Sequence, residues 1–235
     1  MEMSALPDLE RRLRLALAGT LPGVEAQMRM APIPRPGWLS GRSPEQSRPA
    51  AALLLLFPSA SPVHVLLTVR SSRLPSHAGQ VSLPGGAVED GENIEQAALR
   101  EASEETGVEP AAVRLLGRLT PLHIPVSGFV LNTVVGVAKT RPDFRLADTE
   151  VDQILEPSLD DLLDPGAVRR FPRLRDGLFQ DVPYFAVEGV QVWGATAMVL
   201  AEFLEIVGQG CPPSRQALRR VRRSRAKAES RPPQM

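Results

Sequence analysis

The chain has 235 residues, 43% of them hydrophobic, enough for one sizeable domain with appendages or at most two small ones. Lys+Arg and Asp+Glu number 27 each, but eight basic residues and one acid lie beyond Pro213, which leaves 19 basic against 26 acidic residues in the body, a net of −7. The longest apolar run, residues 50–57, is too short to span a bilayer, no signal peptide is read, and the single Cys211 excludes an intrachain disulfide, so a cytoplasmic chain without membrane contact is expected.

Residues 8–18 predict an amphipathic helix with Leu9, Leu13 and Leu17 on one face, ended by Pro22. The proline-rich residues 32–49 predict an extended lead-in. Residues 50–57 predict a buried strand, and residues 63–70 a second strand, in which Val63, Val65, Leu67 and Val69 alternate with His64, Leu66, Thr68 and Arg70 and both faces are expected to be buried. A loop at 71–78 and a brief strand at 79–83 run into a Pro84-Gly85-Gly86 turn. A helix is expected over 94–106, opened after the Asp90-Gly91 turn and stopped by Gly107, with Glu92 and Glu95 suiting the positive end of its dipole.

Strands are expected at 113–119, 129–138 and 153–156, with a polar loop at 141–149 and a helix turn opened by Ser158. Residues 166–182 read as a basic loop or a hairpin, and Glu188-Gly189 as the turn of another hairpin. A strong helix spans 196–207, with Trp193 as its packing anchor. The basic residues 211–235 read as a solvated, disordered tail, so nucleic acid is not expected as a partner.

The helix over 94–106 carries the chemistry. Ile94, Ala97 and Ala98 open a stripe that continues as Glu101, Glu104 and Glu105, so three carboxylates face the protein body. Clustered carboxylates repel unless a proton or cation shares the site, and their oxygens suit Mg²⁺ or Mn²⁺. Glycine at 85 and 86 lets backbone approach a metal or phosphate closely.

Gly86, Glu92, Arg100-Glu101-Ala102, Glu104-Glu105 and Gly107-Val108 stand at spacings that resemble the Nudix box. The resemblance implies an α/β (α+β) fold, a Nudix-type α/β/α sandwich with a mixed β-sheet. It also implies a pyrophosphohydrolase acting on a diphosphate joined to another group X. It divides the chain into an N-terminal helix and lead-in packed on the domain (1–48), the Nudix hydrolase domain (49–210) and the tail (211–235).

The metal ligands implied are Glu101 and Glu105, with Glu104 sharing the site and the Gly86 region adding a carbonyl. Arg100, one turn from Glu104, is placed to pair with a carboxylate and fix its orientation, and Glu92 is structural. The base is either a box glutamate or Glu150 on the later loop; the plain alternative for Glu150 is a solvated charge.

Residues 66–71 (Leu-Leu-Thr-Val-Arg-Ser) and 77–86 (His-Ala-Gly-Gln-Val-Ser-Leu-Pro-Gly-Gly) resemble the signature of the coenzyme A pyrophosphatase subfamily. That resemblance implies a small-molecule nucleotide diphosphate partner, coenzyme A, cut to 3′,5′-adenosine bisphosphate and 4′-phosphopantetheine. Arg70, Arg73 and His77, with Gly79 and Gly85, are then the substrate-binding residues. Pro75 stands where the subfamily usually has arginine and Leu83 where it has phenylalanine, which leaves Arg70 or Arg73 to meet an anionic group. ADP-ribose, dinucleotides or nucleoside triphosphates are the alternative substrates, a non-catalytic ligand-binding regulator is the alternative class, and a homodimer is left open.

Overall fold

The computed structural model describes residues 5–33, 43–59, 62–73, 78–147, 149–175 and 177–209. Pro75, His77, Cys211 and the rest of the basic tail lie outside the described residues. Helices α1 (Ala5–Leu17) and α2 (Gly23–Met28) precede β1 (Arg48–Pro58), β2 (Val63–Val65), β3 (Leu67–Arg70), β4 (Val81–Ser82) and β5 (Gly85–Ala87), which lead into α3 (Ile94–Thr106). Then come β6 (Val113–Arg118), β7 (Leu122–Ile124), β8 (Phe129–Ala138) and β9 (Val151–Leu155). The chain continues through α4 (Leu159–Leu162), β10 (Val168–Arg175), β11 (Leu178–Val187), β12 (Val190–Trp193) and α5 (Ala195–Gln209).

β1 is the central strand because its apolar run leaves no polar face. It pairs in parallel with β8 from Arg48 to Leu56, and antiparallel with β2 at one end and β5 at the other. The sheet runs β2-β1-β8-β6, with β5 alongside β1 and β7 alongside β8, so it is mixed. Strand periodicity then divides the run between two cores. Ala51, Leu53, Leu55 and Phe57 pack with Ala97, Ala98 and Ala102 of α3. Ala52, Leu54 and Leu56 face the core that holds Leu9 and Leu13 of α1 and Val199, Leu200 and Phe203 of α5. Helices therefore cover both faces of a mixed sheet, the expected sandwich. Leu53 to Leu56 are wholly buried, each contributing about 1.5–3 kcal/mol by leaving water.

Two expectations are corrected. Residues 63–70 are two strands, not one. The chain still bonds to β1 at Leu66, whose N–H donates to the Leu55 carbonyl at 3.1 Å, and then crosses to a second sheet, β4-β3-β9. The alternation of Val63, Val65, Leu67 and Val69 runs on across the break and does not signal it. Gly85 and Gly86 are not a turn but strand β5, in register with Ala52 and Ala51. Trp193 is half-buried, and its ring meets Phe171 edge-on at 6.1 Å. Residues 168–187 form a long hairpin, β10–β11, which joins β12 in a third sheet. The short α2 and β7 were not read from the sequence. Buried Glu202 of α5 accepts hydrogen bonds from the Gly23 N–H (3.2 Å), the Gln27 amide (2.8 Å) and the Thr120 N–H (3.2 Å), and so ties α2 to α5.

Candidate active site

α3 is closed at both ends by its own sequence. The Asn93 side chain accepts from the Gln96 N–H and the Gln96 side chain accepts from the Asn93 N–H, both at 2.9 Å, a reciprocal cap. Gly107 ends the helix at φ 70°, a conformation that costs glycine little. The buried residues are Ala97, Ala98, Ala102, Glu105 and Thr106. Three alanines let the helix lie close on β1, and one of the two polar residues buried with them is a carboxylate.

The three glutamates are not equivalent. At about 100° per residue, Glu105 lies near the middle of the buried arc, Glu101 about 40° from it and Glu104 about 100° away. Glu105 is accordingly 3% exposed, whereas the Glu104 side chain is 59% exposed. The expectation that all three face the body is corrected: two do, and Glu104 stands at the rim. Among the described residues no three His, Cys, Asp or Glu side chains are already gathered as a metal site.

The glycines explain why the pair can exist. A Cβ on Gly86 would lie 2.4–2.7 Å from the Glu101 carboxylate atoms, so the missing side chain is the space that carboxylate occupies. A Cβ on Gly85 would meet the Ala51 carbonyl oxygen at 2.4 Å and the Ala52 Cα at 2.7 Å, so Gly85 is required for β5 to lie on β1. The Gly85 N–H also acts on the Glu105 carboxylate, favouring its charged form.

Arg100 organises the outer side. Its Nε and Nη2 donate to the two oxygens of Glu92 at 2.7 and 3.1 Å. Its Nη1 donates to Glu101 Oε1 and Glu104 Oε2, each at 3.0 Å, and Nη2 reaches the Ala87 carbonyl at 3.2 Å. Glu92 is thus a strut for Arg100, and its hydrogen bond from Arg100 holds its own pKa below the usual range.

Burial pushes the Glu105 carboxyl up to about 7, against the Gly85 N–H and the Arg70 charge, with Glu101 and Glu150 pushing the same way as burial. Burial also raises Glu101; its bond from Arg100 opposes this, and the charges of Glu104 and Glu150 add to it. Glu105 Oε2 is buried without a hydrogen-bond partner. An unpartnered carboxylate oxygen beside a second carboxylate, both reached through a glycine strand, fits a hard divalent cation. Such an ion takes one or two protein carboxylates and leaves its other positions to water and phosphate. Glu101 and Glu105 would hold it, with the Gly86 peptide adjoining.

One expected outcome follows for the metal-free protein. Glu105 has a folded pKa of about 7 against 4.5 unfolded. Its contribution is fully present below the unfolded value and is lost as pH rises through the folded one, by about 3 kcal/mol. Urea unfolding in chelator is expected to show lower stability at about pH 8 than at about pH 5, and Glu105→Gln to flatten that difference. An unchanged slope in the variant would contradict the assignment.

Residues 139–147 dock on the end of α3: the Arg145 N–H donates to the Thr106 carbonyl (2.8 Å) and the Ala147 N–H to the Glu105 carbonyl (3.1 Å). The Glu150 carbonyl accepts from the Ser71 N–H at 2.8 Å. Glu150 is exposed, close enough for its charge to act on both Glu101 and Glu105. Arg70, at the end of β3, acts on Glu105 from the other side, and its buried Nε has no hydrogen-bond partner. Arg73 is exposed beside Ser71 and Asp152, and Gly79 at φ 68° donates its N–H to the Arg70 carbonyl at 3.0 Å, closing the intervening loop. Glu101, Glu105, Arg100, Gly85, Gly86, Arg70 and Glu150 are thus brought together; Glu104, Arg73 and Gly79 lie at the periphery, and His77 lies outside the described residues.

A cavity of about 380 Å³ adjoins Arg70. Its walls include Val81, Leu83, Leu122, Ile124 and Leu131, and Arg173, Arg175 and Trp193 line it from the third sheet. Sequence reasoning passed over those two arginines because 166–182 looked like basic loop; the alternation of half-buried arginine with exposed Pro172 and Leu174 is the signal that marks the strand. A larger depression of about 920 Å³ lies near Gly107 and Arg145, and none of Glu101, Glu104 and Glu105 lines it.

A mixed sheet between helices, with an acidic helix docked behind a glycine strand, defines the class as an α/β/α sandwich whose carboxylates sit at a strand edge. The chain belongs to the Nudix family: the NUDIX domain model matches residues 47–175, more than half of it. It is 36% identical over 168 residues to a protein of Shigella flexneri named uncharacterized Nudix hydrolase NudL, covering 71% of this chain and 86% of that one. A NudL of Citrobacter koseri is 36% identical over 162 residues, 68% of this chain and 83% of that one. Among solved structures, a Nudix hydrolase from M. smegmatis, RenU, is 19% identical with a TM-score of 0.49, covering 72% of this chain and 91% of that one. No helix among the described residues is long and apolar enough to cross a membrane.

Proposed function

We propose that the protein is a divalent-metal-dependent hydrolase that cuts coenzyme A at its diphosphate, giving 3′,5′-adenosine bisphosphate and 4′-phosphopantetheine. The observation that carries the hydrolytic reading is the buried Glu105, with its unpartnered Oε2, beside Glu101 behind a glycine strand. The coenzyme A reading is supported by the subfamily-like residues 66–71 and 77–86, which run straight into the Nudix box. It is supported too by the apolar cavity next to Arg70, suited to an organic group flanking the diphosphate.

A bound Mg²⁺ or Mn²⁺ supplies neutralisation of the phosphate oxygens and a more acidic water. Arg100 fixes Glu101 and Glu104 while anchored on Glu92, so the carboxylates are oriented before substrate arrives. Arg70 meets a diphosphate oxygen with its unpartnered Nε. Glu150, outside the carboxylate pair, takes the proton of the attacking water at its carboxylate. The water oxygen bonds to one phosphorus, the bridging P–O bond breaks, and the bridging oxygen leaves with the other phosphate.

Initial rates over a panel of coenzyme A, ADP-ribose, dinucleotides and nucleoside triphosphates test the substrate. The expected outcome is the highest kcat/KM for coenzyme A; a clear preference for ADP-ribose would overturn the choice of X and leave the carboxylate site standing.

A further inference from the structure

Two charged features of the 380 Å³ cavity are not used by the hydrolytic site. Arg70 belongs to the diphosphate end, since its charge acts on Glu105. Arg173 and Arg175 come from β10, in a different sheet, and line the same cavity. Both are half-buried, on the inner side of a strand whose alternate residues Pro172 and Leu174 are exposed. The Arg173 guanidinium stacks over the Trp193 ring at 4.6 Å from its centroid, which fixes its plane at the cavity wall. Among the described residues lining the cavity there are three arginines and no Asp or Glu. Apolar walls with arginine guanidiniums at two separate places suit a ligand that carries an organic group and two distinct anionic groups.

We propose that Arg173 and Arg175 form a phosphomonoester site, which reads a second phosphate carried by the group X, remote from the diphosphate that is cut. Two planar guanidiniums match the three oxygens of a dianionic phosphate better than a single carboxylate. In the coenzyme A reading, on which the identity of this group rests, it is the 3′-phosphate. Arg173 and Arg175 are then specificity residues, and the arginine usual at Pro75 has its counterpart on another strand.

The test uses the full chain, wild type and Arg173→Gln/Arg175→Gln, with thermal melts as a control. Rates are measured on coenzyme A and on dephospho-coenzyme A, which lacks the 3′-phosphate. Wild type is expected to favour coenzyme A by about tenfold or more in kcat/KM, mainly through KM, and the double variant to bring that ratio close to one. An unchanged ratio, or an equal fall on both substrates, would overturn the proposal. Arg175→Gln alone leaves the Trp193 stack in place and carries the test should the double variant not fold. If wild type cuts neither compound, the coenzyme A reading fails, and calorimetry with adenosine 3′,5′-bisphosphate against AMP decides separately. Tighter binding of the bisphosphate, lost in the variant, upholds the arginine pair; equal binding of both, or of neither, rejects it.

Discussion

Glu105→Gln is expected to lower kcat by about a thousandfold while leaving the fold intact. The amide has the size of the carboxylate and keeps an acceptor for the Gly85 N–H, so packing against β1 is preserved. It removes the negative charge that burial already opposes, which raised the group to about 7. In the metal-free protein at about pH 8 the variant should therefore unfold at the same temperature as wild type or higher. With Mg²⁺ or Mn²⁺ added, wild type should gain stability by mass action and the variant much less. Loss of activity together with a lower melting temperature without metal would mean that Glu105 serves packing rather than chemistry. Glu104→Gln is the contrasting case: its side chain is 59% exposed and bound to Arg100, so the expected loss is far smaller.

The adjacent glycines should separate stability from activity. Gly85→Ala places a methyl 2.4 Å from a backbone oxygen and 2.7 Å from a Cα, atoms that move only if β1 and β5 part. The expected cost is about 3 kcal/mol, read as a shift in the urea midpoint. The atoms nearest the new methyl in Gly86→Ala are those of the Glu101 carboxylate, the end of a flexible side chain. Stability should change by less than about 1 kcal/mol, but Glu101 is displaced by the width of a methyl, and kcat/KM should fall about a hundredfold. Similar melting curves for the two variants, or full activity in Gly86→Ala, would contradict this account of β5.

The acidic helix was legible to the residue at both ends, because the Asp90-Gly91 turn before it and Gly107 after it are local signals that act through the backbone. The presence of a carboxylate site was legible from spacing. Its hierarchy was not: whether Glu104 or Glu105 is buried depends on how far the helix is rotated against β1, and that is set by Ala97, Ala98 and Ala102 meeting Ala51 and Leu53 across the chain. The break at Leu66 was invisible because the alternation of Val63, Val65, Leu67 and Val69 continues unchanged across it. Glu150 was found through its resemblance to family members, and its approach to Glu101 and Glu105 depends on residues 139–147 bonding to the end of α3. Arg173 and Arg175 lie about 70 residues beyond the box, and only the pairing of β10 with β11 shows which way they face.

The most direct measurement is mass spectrometry of the products formed from coenzyme A with Mg²⁺ or Mn²⁺ by wild type and by Glu105→Gln. The account predicts 3′,5′-adenosine bisphosphate and 4′-phosphopantetheine in equal amounts from wild type and almost none from the variant. Intact coenzyme A with wild type, or equal product from the variant, would contradict it.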